Sequence, residues 1–239
     1  MKKFFYFTVV LLAMQTSGLT QGKGYLGGFQ FKPMLGNGVF SNTAQTTTND
    51  TINFSITNKF GYSFGMTIRK KFTKVLAIES GLRFTQRNYA VNIDSAFTSY
   101  SSSIDYRIIA YEIPLKAMVR LRSSDNSYFN VSLGGQIDLY PSDIFAYNFE
   151  WQVQVNRRSW VQGSFVTNLG WEIHPEDLGI FYIGLAYNQP FVPPFAANIG
   201  ERNTTAAIVN MKQTGTFFSI DLRYYFEPKK EKGTDRDDF

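Results

Sequence analysis

From residue 216 to 226 the chain alternates between two faces, with Phe218, Ile220, Leu222, Tyr224 and Phe226 on one and Phe217, Ser219, Asp221, Arg223 and Tyr225 on the other. A period of two marks a strand whose sides meet different surroundings. The same split sets Leu76, Ile78, Leu82 and Phe84 against Glu79, Gly81, Arg83 and Thr85, and Phe60, Tyr62, Phe64, Met66 and Ile68 against Gly61, Ser63, Gly65, Thr67 and Arg69. Followed along the chain, it predicts eight strands, near 24–35, 57–72, 75–89, 105–122, 128–140, 160–173, 178–188 and 213–226. These run to about 11 to 18 residues, whereas soluble strands cluster near 5 to 6 and a tilted membrane strand needs about 9 to 11. Pro114 falls inside the fourth strand and predicts a bulge or local break there, because proline donates no ladder hydrogen bond.

The connections alternate in length. Those at 72–74, 123–127 and 174–177 are short and carry turn-forming residues, while those at 36–56, 90–104, 141–159 and 189–212 are long. Short turns on one side and long loops on the other are the pattern of outer-membrane barrels, whose turns are periplasmic and whose loops are extracellular. The fold expected is therefore all-β: an eight-stranded antiparallel up-and-down transmembrane β-barrel over 22–226, in the outer membrane of a Gram-negative bacterium, with both termini periplasmic. Trp160, Tyr140, Tyr89 and Tyr187 are expected at the extracellular rim and Trp171, Phe129, Tyr224 and Phe226 at the periplasmic one, forming two aromatic girdles.

Alternation alone does not say which face is outside. A soluble barrel would turn a face rich in Lys, Glu and Asp to water. Here the polar face is mostly Gly, Ser, Thr, Gln and Asn, with scattered charges at Arg69, Glu79, Arg83, Glu112, Lys116, Arg120, Asp138, Glu172, Asp221 and Arg223. Five are basic and five acidic, which suits a crowded lumen in which buried charges pair. These ten are the candidate lumenal ion-pair network, with Arg83 and Arg223 expected to pair with carboxylates among Glu79, Glu112 and Asp221. Composition agrees: aromatics reach 17% and charged residues only 18%, below the roughly 25% of ordinary soluble domains.

The first residues, Met1, Lys2 and Lys3 followed by an apolar run to Met14 and a small, polar stretch to Gly22, read as a signal peptide over 1–21. The apolar run is too short for a membrane helix, which needs roughly 20 residues. Loss of Lys2 and Lys3 would lower the formal net charge from +5 to +3, and no nucleic-acid surface is indicated. Without cysteine there is no disulfide framework and no lipidated anchor. Residues 227–239 (EPKKEKGTDRDDF) read as a disordered periplasmic tail, since a segment with almost no apolar surface cannot offset the entropy of ordering it.

Residues 61–87, 111–116 (YEIPLK), 133–136 (LGGQ) and 217–226 (FFSIDLRYYF) resemble the small outer-membrane β-barrel, PorT-like proteins of Bacteroidota, over about 24–226. The resemblance implies fold and compartment. It implies no single activity, because the family includes accessory factors of secretion and gliding machinery. Asp221 stands where the barrel-insertion signal would place a glycine, and the chain runs past Phe226 instead of ending on it.

Little in the sequence points to catalysis. The lone histidine, His174, falls in a short turn beside Pro175, and with no cysteine neither a zinc nor a redox-metal site is expected. A Glu79–Glu112 pair could do acid/base work, with lumenal pairing as the competing role. Eight strands enclose only enough room for side chains, so an open pore is not expected. No cofactor is indicated. Leu26-Gly27-Gly28 and Leu133-Gly134-Gly135 fall inside strands, where glycine relieves crowding. Function is left to the loops, the lumen and the tail. The most unusual loop carries Phe191, Val192, Pro193, Pro194 and Phe195, a candidate partner site, a lid over the mouth, or a segment packed on the loop that holds Phe145, Tyr147, Phe149 and Trp151. The reading is a non-enzymatic structural or interaction barrel of an envelope assembly, with outer-membrane lipid and envelope proteins as partners. The alternative is a ligand-binding or lipid-modifying barrel with a pocket at its outer mouth.

Overall fold

The computed structural model describes residues 24–34, 45–49, 52–95, 100–175, 178–202 and 208–226; the expected signal segment and the tail lie outside them. The described residues form strands β1 (Tyr25–Met34), β2 (Gln45–Asn49), β3 (Ile52–Asn58), β4 (Gly61–Lys71), β5 (Leu76–Ser95), β6 (Ser101–Ser124), β7 (Ser127–Leu139), β8 (Ile144–Tyr147), β9 (Trp151–Arg157), β10 (Val161–Ile173), β11 (Ile180–Pro190), β12 (Phe195–Glu201), β13 (Val209–Gln213) and β14 (Phe217–Tyr225). Eight of these, β1, β4, β5, β6, β7, β10, β11 and β14, pair antiparallel in a closed ring, with β14 returning to β1. They are the eight strands expected. Closure leaves this ring no free edge.

The wall of the ring is inside out relative to a soluble protein. Phe29, Phe64, Met66, Leu82, Leu115, Leu133, Leu169, Ile183 and Leu185 point outward and are exposed, while Thr67, Arg69, Glu79, Arg83, Ser164 and Asp221 point inward and are buried. An exposed apolar band this continuous is stable only against lipid. At the short-turn end Phe129, Trp171, Phe181, Tyr224, Phe226 and Phe29 pack in ring contacts of 5.1 to 5.9 Å, an aromatic girdle. The other girdle differs from expectation. Trp160 is exposed, but Tyr89 and Tyr140 face inward at 7% and 1% exposure, Tyr89 stacked on Tyr106 and Tyr140 edge-on to Phe195.

Pro114 forms no bulge. Both of its ladders keep their register, and pairing with β5 lapses only opposite Ile113 and Pro114, where the missing N–H would have donated. Gly28 and Gly134 face inward with a neighbouring strand's backbone where a Cβ would sit, so only glycine lets the walls come this close.

The long connections carry strands of their own. β5 and β6 run past the ring, and β5 exchanges its partner, pairing with β4 from Ala77 to Gln86 and with β3 from Tyr89 to Ser95. β2 adds to β3, and a separate sheet ordered β13-β12-β9-β8 lies over this extension. The two layers bury one core from opposite sides. Phe54, Ile56, Val91, Ile93, Ile104 and Ile108 come from one, and Val153, Val155, Ala197, Ile199 and Met211 from the other. The result is a barrel carrying a two-sheet cap at its loop end. Both chain ends of the ring lie at the other end, where Lys71 N–H donates to Gly24 O and Phe226 N–H to Gly27 O.

Candidate functional site

Cross-strand register assembles the lumen. Glu79 on β5 lies opposite Arg69 on β4 and Lys116 on β6, and Arg83 lies opposite Glu112. The ten charged residues proposed from the sequence are all buried. Around Glu79, Lys116 Nζ and Arg223 Nη1 approach to 2.6 Å, Arg69 Nη2 to 3.4 Å, and the Tyr225 hydroxyl donates at 2.5 Å. Glu172 binds Arg69 at 2.5 Å and Arg120 at 2.7 Å, and accepts from Asn130 Nδ2 at 2.8 Å. Asp221 binds Arg223 at 2.5 Å and Lys32 at 3.6 Å, and accepts from Gln30 Nε2 at 2.6 Å and from Asn168 Nδ2. Glu112 takes Arg83 at 2.9 Å and Arg87 at 3.1 Å. Asp138 differs from the rest: the donors on it are the neutral Gln136 Nε2 at 2.5 Å and Ser164 Oγ at 2.7 Å.

Glu79 and Glu112 thus belong to different clusters, each held by its own cations, and a carboxylate whose lone pairs are already taken is a poor base. Lys32, Arg87, Gln30, Asn130, Gln136 and Asn168 belong to the network but were not among the expected residues. Parity could have found some, since outward Phe29 and Phe31 place Gln30 and Lys32 inside. With these additions the buried set holds seven basic and five acidic residues. His174 ends β10's turn as expected, but its ring packs on Tyr128 at 5.0 Å and its Nε2 lies 2.7 Å from Glu172 Oε1, tying the turn to the lumen. Among the described residues no cluster of three His, Asp or Glu side chains converges on a metal position.

Towards the loop end the lumen turns apolar. Arg87 stacks over Phe217 at 4.3 Å, and above it come Tyr106, Tyr89, Tyr140 and Phe195, all buried. Gln213 Nε2 donates to the Tyr106 hydroxyl, whose burial holds the phenol well above its ordinary pKa, so it stays neutral. This layer fills the mouth. A void of about 10 Å³ beside Lys32, Ser63, Asn188 and Ser219 has room for roughly one water.

The candidate partner loop divides in two. Phe191 N–H donates to Gly163 O at 3.1 Å, and the Phe191 ring lies against outward-facing Gly163, on the barrel's outer wall. Phe191 is 69% exposed and Val192 37%, whereas Pro194 and Phe195 are buried, Phe195 starting β12 within the cap core. β12 pairs with β9, so the segment packs on the loop holding Trp151.

No protein-family model matches the sequence, and no curated protein matches it. Among solved structures, the outer membrane protein OprG from Pseudomonas aeruginosa is similar at a TM-score of 0.53 and 12% identity, over 85% of this chain and 95% of that one. The outer membrane protease OmpT from Escherichia coli gives 0.31 and 10%, over 85% and 94%. The likeness to OprG is one of fold, and with the ring closure and the exposed apolar wall it makes this chain an eight-stranded antiparallel barrel of the outer-membrane kind.

Proposed function

We propose that this is a non-enzymatic integral outer-membrane protein whose barrel serves as an anchor and whose cap is an interaction platform within an envelope assembly, a role in keeping with its PorT-like resemblance and with secretion or gliding machinery. The observation that carries this reading is the filled lumen: four carboxylates held by cations and Asp138 held by neutral donors, under a ceiling of Tyr89, Tyr106, Tyr140 and Phe195, leave neither a conducting path nor a carboxylate without partners. In this reading the turns and both termini are periplasmic, the cap is extracellular, and Trp160, Phe191 and Val192 sit in the outer-leaflet interface. The ten lumenal residues are structural, and the tail is free to meet peptidoglycan or a soluble partner.

The test is threefold. The protein should fractionate with the outer membrane and show heat-modifiable migration, and in planar bilayers it should give no stepwise conductance. A tag inserted at 203–207 should be reached by antibody on intact cells, and a tag on the tail should not. Crosslinking in native membranes should then recover a protein partner. A soluble periplasmic species, porin-like steps or reversed accessibility would overturn the reading.

A further inference from the structure

At the tip of the cap, remote from the lipid-facing band, three connections meet in a cleft of about 600 Å³ lined by Tyr100, Phe149, Glu150, Trp151, Glu201 and Arg202. That is within the roughly 300 to 1,000 Å³ of small-ligand sites. Its frame is fixed by hydrogen bonds. Asn148 Oδ1 accepts from the N–H groups of Glu150 at 3.0 Å and Trp151 at 2.7 Å, and Asn148 Nδ2 donates to Ser102 Oγ at 2.8 Å. Trp151 Nε1 donates to the Tyr100 hydroxyl at 2.8 Å, and that hydroxyl donates to the Glu150 carboxylate. Arg202 is pinned by its N–H on Glu150 O at 2.8 Å, by Nη1 on Asn148 O at 3.3 Å, and by its guanidinium 4.6 Å over the Tyr147 ring.

On this rigid frame Phe149 is 87% exposed, the most exposed large apolar side chain among the described residues. A flat ring held open at a pinned turn, beside two carboxylates, a phenol and a guanidinium, alternates an apolar platform with hydrogen-bonding groups. A pyranose presents the complementary surface: a C–H face that stacks on a ring, edged by hydroxyls that donate to carboxylates and accept from arginine. The Glu150 carboxylate on the cleft wall disfavours an anionic ligand beside it.

We propose that this cleft binds a neutral saccharide, either the outer polysaccharide of lipopolysaccharide on the same cell or an exogenous glycan. The proposal deepens the platform reading and rests on the cap being extracellular. The test uses the full chain in detergent, titrated by calorimetry and tryptophan fluorescence with three probes: a neutral O-polysaccharide fragment cut from the host's own lipopolysaccharide free of the acidic core, a set of neutral disaccharides (maltose, cellobiose and N,N′-diacetylchitobiose), and a heparin-derived oligosaccharide as the anionic control. Saturable binding of a neutral probe, with affinity on the order of millimolar or tighter, is expected. F149A should weaken it about tenfold or more and E150Q should weaken it as well, while F145A, outside the cleft, leaves it unchanged. Preference for the O-polysaccharide fragment assigns the ligand to the cell's own surface, and preference for a disaccharide to an outside glycan. Heat-modifiable migration of each variant confirms that the barrel is folded. Absence of binding by every neutral probe, binding indifferent to F149A, or stronger binding of the heparin fragment would overturn the proposal. None of these outcomes alters fractionation or tag accessibility, which judge the platform reading separately.

Discussion

β5 and β6 each pass through two environments without changing register, and their two halves reverse the rule of burial. In the lower half the outward residues Ile78, Leu82, Ile113, Leu115 and Val119 are apolar and exposed, while inward Glu79, Arg83, Glu112 and Lys116 are charged and buried. In the upper half the inward positions become Tyr89, Val91, Ile93, Ile104, Tyr106 and Ile108, all buried, and the outward ones become Asn88, Asn92, Asp94, Asp105 and Arg107. The pleat is the same; the solvent outside it is not. The reversal between Phe84 and Asn88 on one strand, and between Arg107 and Ile109 on the other, therefore marks the level at which lipid gives way to water.

The comparison can be broken at its most expensive point. In Glu79→Ala the cations Arg223, Lys116 and Arg69 lose a shared carboxylate, and stranding buried charges costs about 3 to 5 kcal/mol. Urea unfolding of the barrel in lipid vesicles should show a loss of that order, and a loss below about 1 kcal/mol would mean that lumenal water, not the ion pairs, supports these groups. In the cap the currency is volume. Ile199→Ala, at a fully buried site, should cost about 2 to 5 kcal/mol and should expose cap residues to protease while heat-modifiable migration persists. Loss of both together would show that barrel and cap form one cooperative unit.

Leu115→Arg, in the middle of β6's lipid-facing run and 62% exposed, should destabilise the inserted barrel by about 2 to 4 kcal/mol although it touches no core. The same experiment on Asn92→Ala, an outward position of the upper half, should move stability by less than about 0.5 kcal/mol. If Leu115→Arg is as harmless as Asn92→Ala, the lower wall faces water and the membrane reading of the exterior falls.

The ring strands were legible because a lipid-facing wall writes a long, strict alternation that needs no knowledge of the rest of the fold. The cap was missed although Ile52-Asn-Phe54-Ser-Ile56 and Trp151-Gln-Val153-Gln-Val155 alternate just as cleanly. These runs are short, and what stabilises them is a core shared among four distant loops, which no local window displays. β5 was cut near residue 89 for a related reason: the apolar set moves there from even to odd positions, which reads as the end of a strand when it is the end of the membrane. Of the lumen, the charges that interrupt apolar strands were visible, but not which pairs with which. Asp138's neutral donors, Gln136 on its own strand and Ser164 on the next, and the place of His174 on Glu172 two residues away are decided by side-chain conformations that alternation does not report. The cleft at the cap tip was beyond reach, since Tyr100, Phe149 and Arg202 are separate loop residues until three connections meet.

The cap's core is contributed by every long connection of the barrel: β3 from the first, the tips of β5 and β6 from the second, β8 and β9 from the third, and β12 and β13 from the fourth. No single hairpin can bury its own apolar face. In the orientation proposed above, each hairpin waits half-made on the far side until the last has been threaded across, and only then do the six added strands and the two extended ones close over one another. Completion of the cap is thus a built-in proof of topology: a chain with one loop retained on the wrong side would leave an open sheet with its apolar face uncovered.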